Sequence, residues 1–173
     1  MRHILITGLP GIGKTTLIKK LVCLLHSAGG FYTEEIRKGG KRIGFKIVTL
    51  DGKEGMLAGI FIDSPYRVGK YGVNVKDVEE IAVPAIRAAV KGKDYVVIDE
   101  IARMELFSEE FKRAVIEAFE SEKRVIATIQ VSKDPFLEEL RKREDVLLYE
   151  LKLSNREKAL EELKKFLMIE FPG

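Results

Sequence analysis

Two glycines stand five positions apart near the amino terminus, with a lysine and a threonine directly after the second. The full motif is Gly8, Leu9, Pro10, Gly11, Ile12, Gly13, Lys14 and Thr15. It matches the pattern G-x-x-x-x-G-K-[ST]. A short apolar run at residues 4–6 precedes it, and apolar residues at helical spacing follow it. This strand, loop and helix context predicts a loop whose backbone amides surround an anion at the positive end of a helix.

Each residue type in the loop has a chemical reason. Gly8 and Gly13 let the backbone approach phosphate without a Cβ in the way, and Gly11 adds freedom within the loop. We expect Lys14 to reach the β- and γ-phosphates of a nucleoside triphosphate and the hydroxyl of Thr15 to bind Mg²⁺. The predicted nucleotide contacts are therefore the motif residues together with the next residue, Thr16.

A second apolar run, residues 95–98, ends at Asp99 and Glu100. Because parallel strands present their carboxyl ends beside a bound ligand, Asp99 is a candidate ligand of Mg²⁺, directly or through water. Successive strand residues point in different directions, so Glu100 is expected to face an attacking water as its general base or positioner. The alternative is an acid pair at a helix start that accepts hydrogen bonds from backbone amides.

Several basic side chains are candidates for stabilising charge on a transferring phosphoryl group. Arg103 follows the acid pair, and the alternative for it is a surface ion pair with Glu105. Arg67 and Lys70 lie in a predicted loop at residues 63–73, and the alternative for them is a solvent-facing role.

Other polar residues near these positions have two possible uses. Tyr66 and Tyr71 in the same loop would either stack on a base or pack against the protein. Thr128 and Gln130 end a later strand, residues 125–129, where they either sense the γ-phosphate or are ordinary polar residues of a strand end.

Four basic residues surround the predicted turn at Gly39 and Gly40: Arg37, Lys38, Lys41 and Arg42. We interpret them as a hairpin tip whose charge discourages edge pairing, with contact to phosphate or RNA as the alternative. His3 and His26 lack partners at metal-ligand spacing, and His26 is expected to complete the end of the first helix. Cys23 has apolar neighbours and is expected in the core.

The alternation of apolar runs and helical patterns predicts one α/β domain over residues 1–173, with three layers, a mainly parallel sheet and an inserted antiparallel hairpin region. The first helix is expected to end at Gly29 and Gly30, and strands are expected at residues 31–36, 43–50 and 56–62. Asn74 is predicted to cap a helix that Pro84 interrupts, and Ser108 and Asp134 to begin later helices. Ser154 and Glu157 are interpreted as a capping box of the last helix.

Charge and composition exclude some classes of function. The 30 basic and 27 acidic residues nearly cancel, leaving a net charge of +3, which does not favour a broad nucleic-acid surface. No apolar stretch has transmembrane length, and the first residues lack the apolar core of a signal peptide. We therefore expect a cytoplasmic protein without a membrane partner; nucleic-acid binding has only weak support, and the oligomeric state is open.

Several segments, the glycine loop among them, resemble the cancer-related nucleoside triphosphatase family. They are residues 8–16, 30–35, 42–45, 67–69, 99–101 and 104–106. The resemblance implies a RecA- or AAA-like core and slow, Mg²⁺-dependent hydrolysis of several nucleoside triphosphates to diphosphates, with weak base preference. One departure is Ala102, where the family usually has glycine and where a side chain restricts the backbone that directs Arg103.

Two other functions remain open at this point. A P-loop kinase uses the same loop to deliver phosphate to a small molecule or a nucleic-acid end, although an arginine-rich lid is absent from the sequence. A nucleotide-dependent switch with little catalysis is the alternative from the binding class. Residues 131–134 lack the spacing of an Asn-Lys-x-Asp guanine reader.

Overall fold

The computed structural model describes residues 1–170. Its helices and strands, in chain order, are β1 (His3–Thr7), α1 (Lys14–Val22), β2 (Ala28–Lys38), β3 (Lys41–Thr49), β4 (Glu54–Gly59), β5 (Arg67–Val68), β6 (Tyr71–Val73), α2 (Val75–Asp77), a π-helical turn (Val78–Ala82), α3 (Val83–Gly92), β7 (Tyr95–Ile101), a 3₁₀ turn (Glu105–Phe107), α4 (Glu109–Glu120), β8 (Arg124–Ile129), α5 (Pro135–Arg141), β9 (Val146–Glu150) and α6 (Ala159–Glu170).

All nine strands form one sheet in the order β5-β6-β4-β3-β2-β7-β8-β1-β9. Strands β2, β7, β8, β1 and β9 are parallel to their neighbours within this group. Strands β3 to β6, which we call the insert, extend the sheet from β2 with antiparallel pairing. The predicted α/β class and hairpin region are confirmed, but the antiparallel part is larger than expected. Its short connections permit hairpins and are too short for crossovers.

Side chains alternate between the two faces of β1, which explains the layers. Ile4 and Ile6 pack with α1 and α6 on one face. Leu5 belongs to the apolar cluster that contains α3 and α4 on the other face. The three-layer prediction is therefore confirmed. No helix within residues 1–170 is long and apolar enough to cross a membrane.

The first helix is shorter than the sequence suggested. It ends at Val22, and Gly29 and Gly30 lie in β2 instead of ending the helix. Gly30 has φ +121°, and a Cβ there would stand 1.9 Å from the carbonyl oxygen of Val97. This glycine is needed because β2 and β7 approach closely, which the sequence pattern could not distinguish from a helix stop.

Two further predictions are wrong because the first helix ends early. Cys23 is exposed rather than in the core. His26 lies beyond the helix, with 82% of its side chain exposed and its Nε2 atom 3.4 Å from Asp94. The helix stops before its apolar stripe reaches either residue.

Most predicted helix starts are confirmed. Asn74, Ser108 and Asp134 each accept a hydrogen bond from a backbone amide of the following turn. The predicted break at Pro84 is also present, since a π-helical turn immediately precedes α3.

Two local predictions are corrected. Helix α6 begins at Ala159, so Ser154 and Glu157 lie in the preceding turn and not at its cap positions. Residues 63–73, predicted as a loop, contain the two short strands β5 and β6. Gly69, with φ +57°, lies at the turn between these strands.

Candidate active site

The glycine loop connects β1 to α1 at the carboxyl edge of the parallel strands. Gly13 has φ +112° and caps α1, which begins at Lys14. Gly11 has φ +81°. These left-handed conformations, which favour glycine, turn the loop so that the amino end of α1 faces a cavity lined by Gly11, Gly13 and Thr15. The local geometry is the one that anion binding at a helix start requires.

Lys14 is held over the loop by two contacts. Its Nζ atom donates to the carbonyl oxygen of Gly8 at 2.6 Å and lies 3.2 Å from Oε2 of Glu100. Only 10% of the lysine side chain is exposed. The ammonium group is therefore positioned on the cavity wall between the loop and an acid.

Asp99 receives two hydrogen bonds on one oxygen. Thr128 and Thr15 both donate through their hydroxyls to Oδ1, at 2.6 and 3.1 Å. Oδ2 is buried and has no hydrogen-bond partner within the described residues. Burial raises the pKa of Asp99 to about 6, although the two hydroxyl contacts oppose that shift. An ionised carboxylate here needs a positive partner at Oδ2.

Glu100 faces a different environment from its neighbour. A quarter of its side chain is exposed, and it lines the cavity, whereas Asp99 is 1% exposed. The strand predicted to end at these acids continues to Ile101, with a register irregularity against β8 between Ile98 and Ile101. The acids are therefore not at a helix start, which removes the alternative of a cap for backbone amides.

The cavity has a volume of about 860 Å³ and two walls. One wall comes from the glycine loop, the start of α1 and the end of β7. The opposite wall comes from the end of β2 and from the insert, through residues that include Glu35, Arg42, Lys70 and Tyr71. Lys70 and Tyr71, which the sequence analysis named as candidates for phosphate and base contacts, thus line the same cavity as the glycine loop.

Arg103 lines the cavity and is exposed. Its backbone amide donates to the side-chain oxygen of Gln130 at 2.9 Å. Gln130 therefore positions the chain beside Arg103. Ala102 does not have a positive φ, since every positive φ among the described residues belongs to a glycine. The alanine at this position is accommodated without left-handed strain.

The alternative ion pair of Arg103 with Glu105 is not formed. Glu105 is buried, and its Oε2 atom accepts a hydrogen bond from the amide of Ala102 at 2.9 Å. Burial, with the nearby charge of Glu100, holds the pKa of Glu105 well above its usual range. Its carboxyl group anchors the turn after the acid pair instead of neutralising a surface arginine.

The tyrosines and cations of residues 63–73 separate into two groups. Arg67 donates to the carbonyl oxygens of Lys70 and Ile62 at 2.9 and 3.4 Å, so it holds its own segment together. The ring of Tyr66 packs against Phe107 with centroids 5.3 Å apart. Lys70 and Tyr71 line the cavity. Only the second group is placed to meet a ligand there.

Arg42 is a cavity residue that the sequence analysis assigned to the hairpin tip. Its Nε atom donates to the hydroxyl of Tyr71 at 3.0 Å, and its NH1 atom lies 3.3 Å from Oε1 of Glu35. The guanidinium carbon lies 5.1 and 5.7 Å from the ring centroids of Phe45 and Tyr71. Arg42 is exposed at the hairpin, as interpreted from the sequence, and its hydrogen bond to Tyr71, 29 positions away, also places it on the cavity wall.

His3 has a structural role. Its Nδ1 atom accepts from the amide of Val125 at 2.9 Å, and Nε2 donates to the carbonyl oxygen of Phe119 at 3.0 Å. Burial lowers the pKa of this imidazole. The ring is therefore neutral and joins β1, β8 and the end of α4.

Comparisons with known proteins show the family of this chain. A family model described as NTPase matches residues 3–164. The nucleoside-triphosphatase THEP1 of Thermotoga petrophila is 59% identical over 160 residues, covering 92% of this chain and 89% of that protein. The human cancer-related nucleoside-triphosphatase is 41% identical over 179 residues, covering 94% of each chain.

Solved structures extend the agreement to the fold. The crystal structure of THEP1 from the hyperthermophile Aquifex aeolicus has a TM-score of 0.86 at 40% identity, covering 95% of this chain and 98% of that one. The solution structure of a human cancer-related nucleoside triphosphatase has a TM-score of 0.84 at 38% identity, covering 99% and 100%. The chain belongs to the NTPase family, whose members include these nucleoside triphosphatases.

Proposed function

We propose that this protein hydrolyses nucleoside triphosphates to nucleoside diphosphate and phosphate, with Mg²⁺ bound. The observation that carries the proposal is a partly exposed carboxylate, Glu100, whose Oε2 atom lies 3.2 Å from the ammonium group of the glycine loop, Lys14. An acid beside the lysine that meets the terminal phosphates is positioned to act on a water that attacks there.

The glycine loop binds the phosphates through its amides, and Lys14 adds a charge-assisted contact. To reach a terminal phosphate, Lys14 gives up the Gly8 carbonyl and the Glu100 carboxylate. Binding therefore releases Glu100 from its ion pair at the moment when a free acceptor for a proton is needed.

The residues around Asp99 fit a divalent cation. Oδ2 of Asp99 is buried without a hydrogen-bond partner in the described part of the chain, and the Thr15 hydroxyl lies beside the same carboxylate. Hard oxygen donors of this kind suit Mg²⁺, which takes its remaining ligands from phosphate and water. Bound there, Mg²⁺ would neutralise charge on the β- and γ-phosphates.

No group of three His, Cys, Asp or Glu side chains within residues 1–170 forms a metal site by itself. This fits a cation that arrives with the nucleotide and uses few protein ligands.

Hydrolysis proceeds through positioning by this chain's own groups. Glu100 orients a water toward the terminal phosphorus and accepts its proton, and Lys14 stabilises charge on the phosphoryl oxygens. Arg103, exposed on the cavity wall, is the candidate for a further positive contact. The bond between the γ-phosphorus and the bridging oxygen breaks, and the diphosphate leaves with the electron pair.

We expect low base selectivity. Residues 131–134, which lack the spacing of a guanine reader, use their polar side chains for the backbone. Ser132 accepts a hydrogen bond from the amide of Asp134, and Asp134 caps α5 through the amide of Phe136. These two side chains are therefore not available to select one base by hydrogen bonds to its edge.

Phosphate release is the direct test. The purified protein is incubated with ATP, GTP, CTP or UTP, each with Mg²⁺ and again with excess chelator. We expect inorganic phosphate and the corresponding diphosphate from all four substrates, and loss of turnover on chelation. Release of pyrophosphate, or turnover of one base alone, would contradict the proposal.

A further inference from the structure

The cavity extends beyond the position expected for the terminal phosphate. With a triphosphate bound as proposed, the last phosphate lies toward Lys14 and Glu100. The cavity continues from Glu100 to the insert, where Arg42, Lys70 and Tyr71 line it, and this space is the candidate position of another molecule. The whole cavity of about 860 Å³ lies in the upper part of the roughly 300–1,000 Å³ range of small-molecule sites.

Positive charge is available on the wall of this space. Lys70 and Arg103 line it, and neither has an acidic partner among the ion pairs of residues 1–170. The guanidinium of Arg42 is oriented by its hydrogen bond to the hydroxyl of Tyr71 at 3.0 Å. An oriented arginine with two further cations is a surface suited to a phosphate group.

Of the three cations, Arg42 pairs with an acid of the same wall, Glu35, whereas Lys70 and Arg103 have no such pair within residues 1–170. Glu34 is 3.1 Å from Lys19 and 3.6 Å from Lys46. Glu35 is 2.9 Å from Arg37 and 3.3 Å from Arg42. Each acid is thus already paired with cations, and the raised pKa of Glu105 favours its neutral form.

Apolar side chains complete the lining of this space. They come from the insert and from the two chain segments that follow β7 and β8: Phe45, Leu57, Val68, Met104 and Val131. A ligand that matches both features has an anionic group and a flat apolar part. A nucleoside monophosphate combines them and also carries oxygen nucleophiles.

We propose that the space between Glu100 and the insert binds a nucleoside monophosphate, which accepts the terminal phosphoryl group in place of water. The proposal rests on the proposed function, because it uses the same glycine loop and the same donor. Hydrolysis is then the reaction of the site when the acceptor is absent.

The transfer step balances without a new reactant. An oxygen of the monophosphate forms a bond to the γ-phosphorus as the bond to the bridging oxygen breaks. The donor leaves as a diphosphate with the electron pair, and the acceptor becomes a second diphosphate. Because a phosphate monoester is largely ionised above its second pKa, near 6, the attacking oxygen has no proton for Glu100 to remove.

Hydrolysis needs a group that accepts a proton from water, whereas phosphoryl transfer to an ionised monophosphate does not, so a variant of Glu100 can separate the two activities. Glu100→Gln lowers hydrolysis but is expected to retain transfer. The experiment incubates the wild type and this variant with γ-labelled ATP, Mg²⁺ and millimolar AMP, GMP, CMP or UMP, and separates labelled phosphate from labelled nucleoside diphosphate. We expect a labelled diphosphate from at least one acceptor in both proteins, with labelled phosphate reduced in the variant.

Two variants locate the acceptor. Arg42→Met should lower the ratio of transfer to hydrolysis about tenfold to hundredfold, the scale of one hydrogen bond to a charged group. Lys41→Met, the adjacent exposed residue on β3, is the matched control and should leave the ratio unchanged. Val68→Trp fills the same space without removing a charge and should lower the ratio as well, so the test does not depend on the arginine variant alone.

The outcomes are distinct. Labelled phosphate without labelled diphosphate for all four monophosphates overturns the acceptor site and leaves the hydrolase proposal standing. Absence of both products overturns both proposals. Transfer that is equal in the wild type, Arg42→Met and Val68→Trp overturns the location.

Discussion

The two walls of the cavity hold their cations in different ways. Lys14, on the parallel side, has 10% of its side chain exposed and contacts a carbonyl of its own loop, six residues away. Arg42, on the insert side, is 42% exposed and depends on Tyr71, 29 residues away. The first contact is local and the second is made only when distant strands pair. The carbonyl contact of Lys14 therefore depends on the local turn of the glycine loop, whereas the contact of Arg42 with Tyr71 depends on tertiary structure.

The sharpest test of this division compares an acid from each wall. Glu100→Gln should keep triphosphate binding and lower the hydrolysis rate constant by about two to four orders of magnitude, the range for loss of a general base. Glu35→Gln, at the end of β2 on the opposite wall, should retain most of its hydrolysis. Steady-state phosphate release measures both. Equal losses would mean that the acid beside Lys14 has no special role.

The tolerance of an added Cβ should differ between the parallel strands and the hairpin of the insert. Gly30→Ala places a Cβ 1.9 Å from the Val97 carbonyl at φ +121°. Strain of about 1–3 kcal/mol and overpacking of about 1–3 kcal/mol should both reduce the free energy of unfolding, measured in urea.

The matched control is Gly39→Ala at the hairpin tip, where φ is +60° and no atom lies within 4 Å of the added Cβ. This substitution should lower the free energy of unfolding by only about 1–2 kcal/mol, the strain of a residue with a Cβ in the left-handed conformation. A Gly30 variant as stable as the Gly39 variant would show that the close approach of β2 to β7 is relaxed in solution.

Substitution of Lys14 in the glycine loop should have a smaller effect, and this effect is on triphosphate affinity. Lys14→Met removes a charge-assisted contact to phosphate, worth about 1.5–3 kcal/mol, which is roughly tenfold to a hundredfold in triphosphate affinity. Titration calorimetry with a non-hydrolysable triphosphate measures it. Lys20→Met, on the exposed side of the same helix, is the control and should bind normally. Normal binding by the Lys14 variant would contradict the predicted loop.

The smallest expected effect concerns pH. Burial lowers the folded-state pKa of His3 from its ordinary value of 6.5, so the unfolded chain takes up a proton before the folded one does. The stability from neutral His3 is complete above about pH 6.5 and is lost as pH falls, by at most about 1.4 kcal/mol per pH unit. His3→Gln should flatten this part of the dependence of unfolding free energy on pH between 7.5 and 5.5.

His26→Gln, with an exposed ring, should keep the slope of the wild type. If both variants behave alike, the acid sensitivity arises elsewhere in the protein.

The parallel side was largely predictable from the sequence, since its signals are local. The glycine loop, the acids after an apolar run and the caps at Asn74 and Ser108 each involve residues a few positions apart. Their geometry follows from backbone conformation and hydrogen bonding that short patterns encode. The roles of Lys14, Asp99 and Glu100 stay predictions, although the structure brings these residues together.

The insert side was less predictable for a physical reason. Strand pairing decides whether the side chains of Arg42 and Lys70 lie on the cavity wall or point to solvent. The local sequence around a hairpin tip is the same in both cases, so it does not predict which one occurs. Gly30 was wrongly predicted to end the first helix, because glycine is typical both of helix ends and of strands whose backbones approach closely. Glu105 looked like a surface partner of Arg103, because burial of an acid in the turn after a strand leaves no mark in the sequence.

The two hydroxyls that hold one oxygen of Asp99 have a consequence for the affinity of the proposed cation. Thr15 and Thr128 come from different elements, and together they stop the carboxylate from rotating before anything binds. Ordering such a side chain on binding would otherwise cost about 0.5–1.5 kcal/mol. A cation bound as proposed would thus meet a donor that is already oriented, and a longer acid at this position would lose that advantage while keeping the same charge.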